Sequence, residues 1–187
     1  IGASGYVGTA ILNEALIRGY EATAIVRHPE RILIQDSHLK VLPGDVRNED
    51  EIARLIEGAE TVISAYNPGW TDPAIYDDLQ TGYKTLLAGV KKAGVKRLLI
   101  AGGAGTLQVD GGQRVMDEPG IPPHLLPGIK GIADVYYHLL LPEKELDWVY
   151  FSPAANLEPG RRTGNFRLGK DELIIGKDGE SRISIED

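Results

Sequence analysis

The hydrophobic positions alternate between helical spacing and short continuous runs along most of the chain. Val7, Ile11 and Ala15, with Ala10, Leu12 and Leu16, recur every three or four residues directly after a cluster of glycines. That pattern predicts a helix to about Arg18, with Gly19 as its C-terminal stop. Glu21 to Val26 reads as a short buried strand, and Lys40-Val41-Leu42 as a second. Asn48, with Glu51 three residues on, forms a capping pair that opens a helix through Ile52, Leu55 and Ile56 to Gly58. Thr61 to Ala65 follows as strand. Tyr66 to Pro73 is loop, carrying Asn67-Pro68-Gly69 and Asp72-Pro73, and a long helix covers about Ala74 to Ala93 before Gly94. Val95 to Ala101 is the most apolar strand. Residues 102–127 hold glycines and prolines with little periodicity, a long loop of the kind that carries function. A helix from about Gly128 to Leu141 and a strand at Trp148 to Phe151 close the regular part.

Strand and helix thus alternate about five times, the pattern of parallel βαβ units joined by right-handed crossovers. The expected fold is α/β, a doubly wound parallel sheet of Rossmann-like form, in one domain over 1–187. Beyond Ser152 the pattern changes to a Pro- and Arg-containing loop. Two apolar stretches, Glu172 to Ile175 and Arg182 to Ile185, then flank the turn Lys177-Asp178-Gly179. Residues 152–187 are expected to form a small lobe packed on the sheet's C-terminal edge, on the substrate side.

Composition narrows the function. Hydrophobic residues make up 42% and charged residues 25% of 187, which fits one globular core and excludes disordered, collagenous and coiled-coil classes. A net charge of -7 argues against a general nucleic-acid binder, which needs a basic surface. With no cysteine there is no disulfide, thiolate metal site or cysteine nucleophile, as fits a reducing compartment. No apolar run approaches the roughly 20 residues of a membrane span, so a cytoplasmic protein is expected, without membrane or nucleic-acid partners. The chain opens at Ile1 and passes straight into glycines. The strand expected before them would be short or absent, and Ile183 to Asp187 would lead into a further helix, as in a domain clipped at both ends.

Gly2, Gly5 and Gly8 have Gly-x-x-Gly-x-x-Gly spacing before an amphipathic helix. Small residues let the backbone approach a pyrophosphate, and the helix N-terminus supplies free N–H groups and a positive dipole end. Gly2, Ser4, Gly5, Tyr6, Val7 and Gly8 are therefore expected to hold a dinucleotide. Where a NAD-specific site would offer a carboxylate to the ribose, the chain has Arg27. A guanidinium matches a phosphate by paired hydrogen bonds, so NADP is expected over NAD. Asp45 either accepts from the adenine amino group or simply forms a turn. Ligands of open parallel sheets bind where strands end at their carboxyl edge. That places the nicotinamide near Ser64-Ala65-Tyr66, Gly102 and Ser152-Pro153-Ala154. Tyr66, Trp70 and His124 lie on loops at the same edge, as acceptor-pocket, lid or packing residues. The histidines at 28, 38, 124 and 138 lack metal-site spacing.

The order of glycine turn, Arg27, Gly44-Asp45-Val46 and Ser152-Pro153-Ala154-Ala155 resembles the atypical branch of the short-chain dehydrogenase/reductase superfamily. More narrowly, Ile100-Ala101-Gly102-Gly103-Ala104-Gly105-Thr106-Leu107, Leu146-Asp147-Trp148 and Pro159-Gly160-x-Arg162-Thr163-Gly164-x-Phe166-Arg167-Leu168-Gly169 are similar to the NADH-flavin reductase and biliverdin-IXβ reductase group, whose members often carry an epimerase/dehydratase label. The resemblance implies a Tyr-x-x-x-Lys pair. Aligning its lysine on Lys130, expected at the nicotinamide ribose or else simply solvated, puts Leu126 at the tyrosine position, and Gly102 and Gly103 replace the usual serine. Tyr136 and Tyr137 have leucines four residues later, which makes them core or helix-surface residues. Without that acid/base, a flavin or another planar acceptor is the expected small-molecule partner, with Gly102, Gly103 and Gly105 leaving room for it. His124 is the one candidate proton donor. The alternatives are a nucleotide-sugar epimerase or dehydratase, and a redox-sensing regulator that binds the dinucleotide without turnover.

Overall fold

The computed structural model describes residues 1–109 and 111–187. Helix α1 spans Tyr6–Ile17 and ends where Gly19 takes φ +78°, the left-handed turn expected of it. Strands β1 (Ala22–Val26) and β2 (Leu39–Pro43) pair in parallel, Ala24 opposite Val41. Helix α2 (Glu49–Leu55) starts at Asn48, whose side chain accepts from the Glu51 amide at 3.2 Å. The Glu51 carboxylate does not reach back to Asn48 as in a full capping box; it accepts from the Asp45 amide at 3.1 Å. β3 (Thr61–Ser64), α3 (Ile75–Lys92) and β4 (Arg97–Ala101) follow, and β4 pairs in parallel with both β3 and β5 (Asp147–Phe151).

Ile1 and Gly2 join the two strand groups into one sheet. The Ile1 nitrogen donates to the Ile63 carbonyl at 2.8 Å and the Ala65 amide to the Ile1 carbonyl at 3.0 Å, while the Gly2 amide donates to the Ile25 carbonyl at 3.3 Å. The resulting spatial order is β2, β1, the Ile1–Gly2 segment, β3, β4, β5. Strand alternation assigns the faces. Ala24 and Val26 pack with Leu12 and Ala3 under α1, whereas Ile25 faces Ile52, Leu86 and Leu98 in the larger core beneath α2 and α3. On the opposite face from that larger core, the register row Ile63, Leu99 and Val149 is half-buried and Phe151 is 56% exposed.

Three expectations need correction. The 102–127 segment, in which Asp110 lies outside the described residues, contains 3-10 turns at Ala104–Thr106 and Val115–Asp117. The last helix begins two residues before Gly128: α4 spans Leu126–Asp134, Pro127 occupying its first turn where a missing N–H costs nothing, and continues as a π-helical stretch over Val135–Leu140. The stretch after Ser152 contributes β6 (Asn156–Glu158), parallel to β7 (Arg182–Ser184), so the second apolar stretch pairs with β6. Glu172 instead bridges Gln108.

Candidate functional site

The glycine turn is shaped by contacts that exclude side chains. Gly2 has φ +77°, and a Cβ there would lie 2.7 Å from the Ala65 carbonyl oxygen. A Cβ on Gly8 would lie 2.0 Å from the Gly2 carbonyl oxygen. Gly5 differs: its Cβ would meet nothing closer than 3.4 Å, and the residue faces solvent. Its lack of a side chain keeps open space in front of the turn. The first i to i−4 bond of α1 runs from the Thr9 amide to the Gly5 carbonyl at 2.9 Å. Among the described residues the amides of Tyr6, Val7 and Gly8 therefore lead the helix as free donors, and no acidic residue in the first turn neutralises them. Ser4 is half-buried beside them, and the Thr9 hydroxyl donates to the Ala3 carbonyl at 3.0 Å, tying the turn to the helix. The turn thus fits a pyrophosphate: a cradle closed to Cβ atoms behind and open in front.

Because Gly2 abuts Ala65, the turn stands beside the end of β3. Ser64 is fully buried and accepts from the Tyr66 amide at 3.3 Å. Tyr66 is a packing residue. Its ring fills the notch left by Gly82, meets Tyr83 edge-on at 5.7 Å, and its hydroxyl donates to the Asp78 carbonyl at 3.4 Å. Burial pushes its phenol pKa above the ordinary value.

On the other side of the turn, Arg27 is exposed after β1, and its charge reaches both Asp45 and Tyr66. The Asp45 carboxylate is engaged. Arg47 donates through its main-chain amide at 3.0 Å and its guanidinium at 3.0 to 3.3 Å, which holds that carboxyl below the usual range. The turn-forming reading of Asp45 thus has direct geometry, and any adenine contact must use the lone pairs Arg47 leaves.

At the ends of β4 and β5, the expected room over Gly102, Gly103 and Gly105 is filled by the protein itself. A Cβ on Gly102 would lie 2.2 Å from the Tyr150 ring, one on Gly105 2.7 Å from Ile129, and one on Gly103 3.3 Å from Ile132. These glycines let α4 and Tyr150 approach the loop. The Tyr150 hydroxyl accepts from the Gly103 amide and donates to the Ile132 carbonyl, both at 3.2 Å, and burial raises its pKa. Tyr136 meets Tyr137 and Trp148 edge-on and Tyr150 at a tilt, partly buried against the larger core. Lys130 is exposed on α4, between Ile129, which packs toward Gly105, and Gly131, which packs on Leu79. Trp70 is half-exposed against Gly128, so it clamps the 66–73 loop onto α4. His124 is exposed ahead of α4.

Sequence reasoning missed one pair here. Thr106 and Ser152 place their hydroxyl oxygens 3.3 Å apart, half-buried at the ends of β4 and β5, beside Pro153 and Ala154. The two residues lie 46 positions apart. Only the register that sets Ala101 opposite Phe151 brings them together.

The segment after β5 contacts α1. Arg162 donates to Glu14 at 2.6 Å, and the Tyr6 hydroxyl reaches the Leu157 carbonyl at 3.5 Å. The most specific stretch of the late motif is thereby anchored to the helix that carries the glycine turn. Among the described residues, no helix is long and apolar enough to cross a membrane, and no three His, Asp or Glu side chains converge as a metal site.

Comparison with known proteins shows the family. The family model described as NAD(P)H-binding matches residues 2–187. The chain is 36% identical over 190 residues to the uncharacterized protein YwnB of Bacillus subtilis, covering 100% of this chain and 85% of that one. It is 52% identical, with a TM-score of 0.92, to a Bacteroides thetaiotaomicron structure described as a "putative epimerase", covering 99% and 83% of the two chains. It is 30% identical, with a TM-score of 0.78, to a Streptococcus pneumoniae structure described as a "putative NADH-flavin reductase", covering 99% and 85%. The chain therefore belongs to the family described as NAD(P)H-binding and has the Rossmann fold.

Proposed function

We propose that the protein is an NADPH-preferring reductase that passes a hydride to a flavin or similar planar acceptor, without a tyrosine acid/base. The observation that supports this reading is a glycine turn closed to side chains from behind, beside a carboxyl edge of the sheet where, among the described residues, the Tyr66, Tyr83 and Tyr150 hydroxyls are all engaged by main-chain groups. That leaves neither Tyr66 nor Tyr150 free for acid/base work, and aligning the family's lysine on Lys130 would put Leu126 at its tyrosine position.

Gly2, Gly5 and Gly8 let the main chain close on a pyrophosphate, and the amides of Tyr6, Val7 and Gly8 supply donors to it. Arg27 binds the ribose 2′-phosphate, Lys130 the nicotinamide ribose, and Ala65 and the 152–154 segment border the nicotinamide ring. A bound reduced nicotinamide would supply one proton and two electrons together as hydride, and the second proton would come from water. The chain's task is then to hold two flat rings in reach and exclude side reactions, which needs no positioned acid. An epimerase acting through a keto intermediate would lack the roughly 10²–10⁴-fold contribution of that acid.

The test follows NADPH and NADH oxidation with FMN, FAD, riboflavin and quinones, with NADP⁺ and NAD⁺ binding measured in parallel by calorimetry. The expected result is turnover with at least one planar acceptor and tighter binding of NADP⁺. Tight binding with no turnover for any acceptor would favour a redox-sensing regulator and defeat the reductase reading.

A further inference from the structure

Thr106 and Ser152 form a hydroxyl pair with one hydrogen left over. Each hydroxyl has one O–H to give. Their mutual contact at 3.3 Å uses one of these, and its direction is free because either oxygen can donate. If Ser152 donates to Thr106, the Thr106 hydrogen has only the Gly103 carbonyl, at the long distance of 3.5 Å. If Thr106 donates to Ser152, the Ser152 hydrogen has no acceptor among the described residues. It is then available at the carboxyl edge of the sheet, where β4 and β5 end.

The surroundings leave few rivals for that role. The Tyr150 hydroxyl is bonded on both sides to main-chain groups, the Tyr66 hydroxyl is turned to α3, and the Tyr83 hydroxyl donates to the Tyr66 carbonyl at 3.1 Å. Thr106 is carried on the 3-10 turn Ala104–Thr106, and Gly105 within it has no space for a side chain against Ile129. The pair is therefore held on packed elements, with Ser152 fixed one residue past the last ladder position of β5.

We propose that the Ser152 hydroxyl, oriented by Thr106, donates a hydrogen bond to a carbonyl oxygen of the planar acceptor. Thr106 is the positioning residue and Ser152 the catalytic one. The inference rests on the reductase reading. As the acceptor ring takes the electron pair of the hydride, negative charge develops on its conjugated carbonyl oxygen, and a donor aimed at that oxygen stabilises the charge. The serine keeps its own proton; the proton that completes the reduced acceptor comes from water, so reduced nicotinamide, acceptor and one proton give oxidised nicotinamide and reduced acceptor.

The test compares Thr106→Val, which keeps the shape and removes the hydroxyl, with Thr106→Ser, which keeps the hydroxyl. Menadione and FMN serve as acceptors. The expected result for Thr106→Val is a fall in kcat of about tenfold, with NADP⁺ affinity unchanged within about twofold. Binding of menadione to the NADP⁺-loaded protein should weaken by about the same tenfold factor, and Thr106→Ser should restore both. A Thr106→Val protein with wild-type kcat and menadione affinity overturns the inference while leaving the reductase reading intact. A Thr106→Val protein that loses NADP⁺ affinity instead also overturns it, because Ser152 would then serve the cofactor. A wild-type protein that neither binds nor reduces either acceptor brings down the reductase reading and the inference together.

Discussion

A Cβ placed on Gly8 would sit 2.0 Å from the carbonyl oxygen of Gly2. The glycine turn is thus closed on itself from behind, and Gly5, whose Cβ would have 3.4 Å of clearance, is a glycine for another reason. The two residues separate folding from binding. Gly8→Ala forces the main chain apart and should lower stability by about 2–4 kcal/mol, read from urea unfolding. Gly5→Ala should fold with a thermal midpoint within about 3 °C of wild type and bind NADP⁺ at least about tenfold more weakly, because its methyl group occupies the open front of the cradle.

Arg27 should decide between the two nicotinamide cofactors. Arg27→Ala is expected to weaken NADP⁺ binding by about 10- to 100-fold, the range of a charge-assisted hydrogen-bond pair, and to change NAD⁺ binding by less than about twofold. Calorimetry with both dinucleotides checks this. Equal affinities in the wild-type protein would remove the phosphate role from Arg27.

Tyr150 should act on stability and not on proton transfer. Tyr150→Phe leaves the Gly103 amide and the Ile132 carbonyl without their partner, at a cost of about 1–3 kcal/mol in urea unfolding. Burial raises the Tyr150 pKa, so in alkali the folded state holds a proton that the unfolded state releases near pH 10. Stability is then lost as pH rises through about 10, and Tyr150→Phe should flatten that loss. The pH dependence of turnover below pH 9 should show no tyrosine titration. A basic limb abolished by Tyr150→Phe would contradict this assignment.

Much of this was legible in the sequence. The alternation of apolar runs and helical spacing marked the parallel architecture because period and length follow from backbone geometry alone. The stops at Gly19, Gly58 and Gly94, with φ between +74° and +80°, were readable for the same reason. What stayed hidden depends on register and packing. Gly102 and Gly105 look like open space in a sequence, yet Tyr150 and Ile129 fill them, since a glycine reports only that something comes close. The capping pair at Asn48 and Glu51 showed one half of its bonding, and the other half went to Asp45. β6 was missed because a three-residue strand with Pro159 after it has too few positions to show alternation.

The link between Arg162 and Glu14 should be a local clamp. Glu14 accepts from both Arg18 and Arg162 at 2.6 Å on an exposed surface, so Arg162→Ala should cost only about 0.2–1 kcal/mol of global stability. Its larger expected effect is local, a several-fold faster proteolytic cleavage within 159–170, measured by limited digestion and mass spectrometry. Unchanged cleavage would show that β6 pairing with β7 alone fixes this segment.

Reduction of a planar acceptor at the expense of a nicotinamide is read most directly as oxidation of NADPH by the purified protein in the presence of FMN, riboflavin or a quinone. Enzyme-dependent consumption of NADPH, faster than that of NADH, is expected with at least one of these acceptors, and at subsaturating NADPH it should fall at least about tenfold in Gly5→Ala. Tight NADP⁺ binding by the wild-type protein, without NADPH consumption for any acceptor, would contradict the reductase reading.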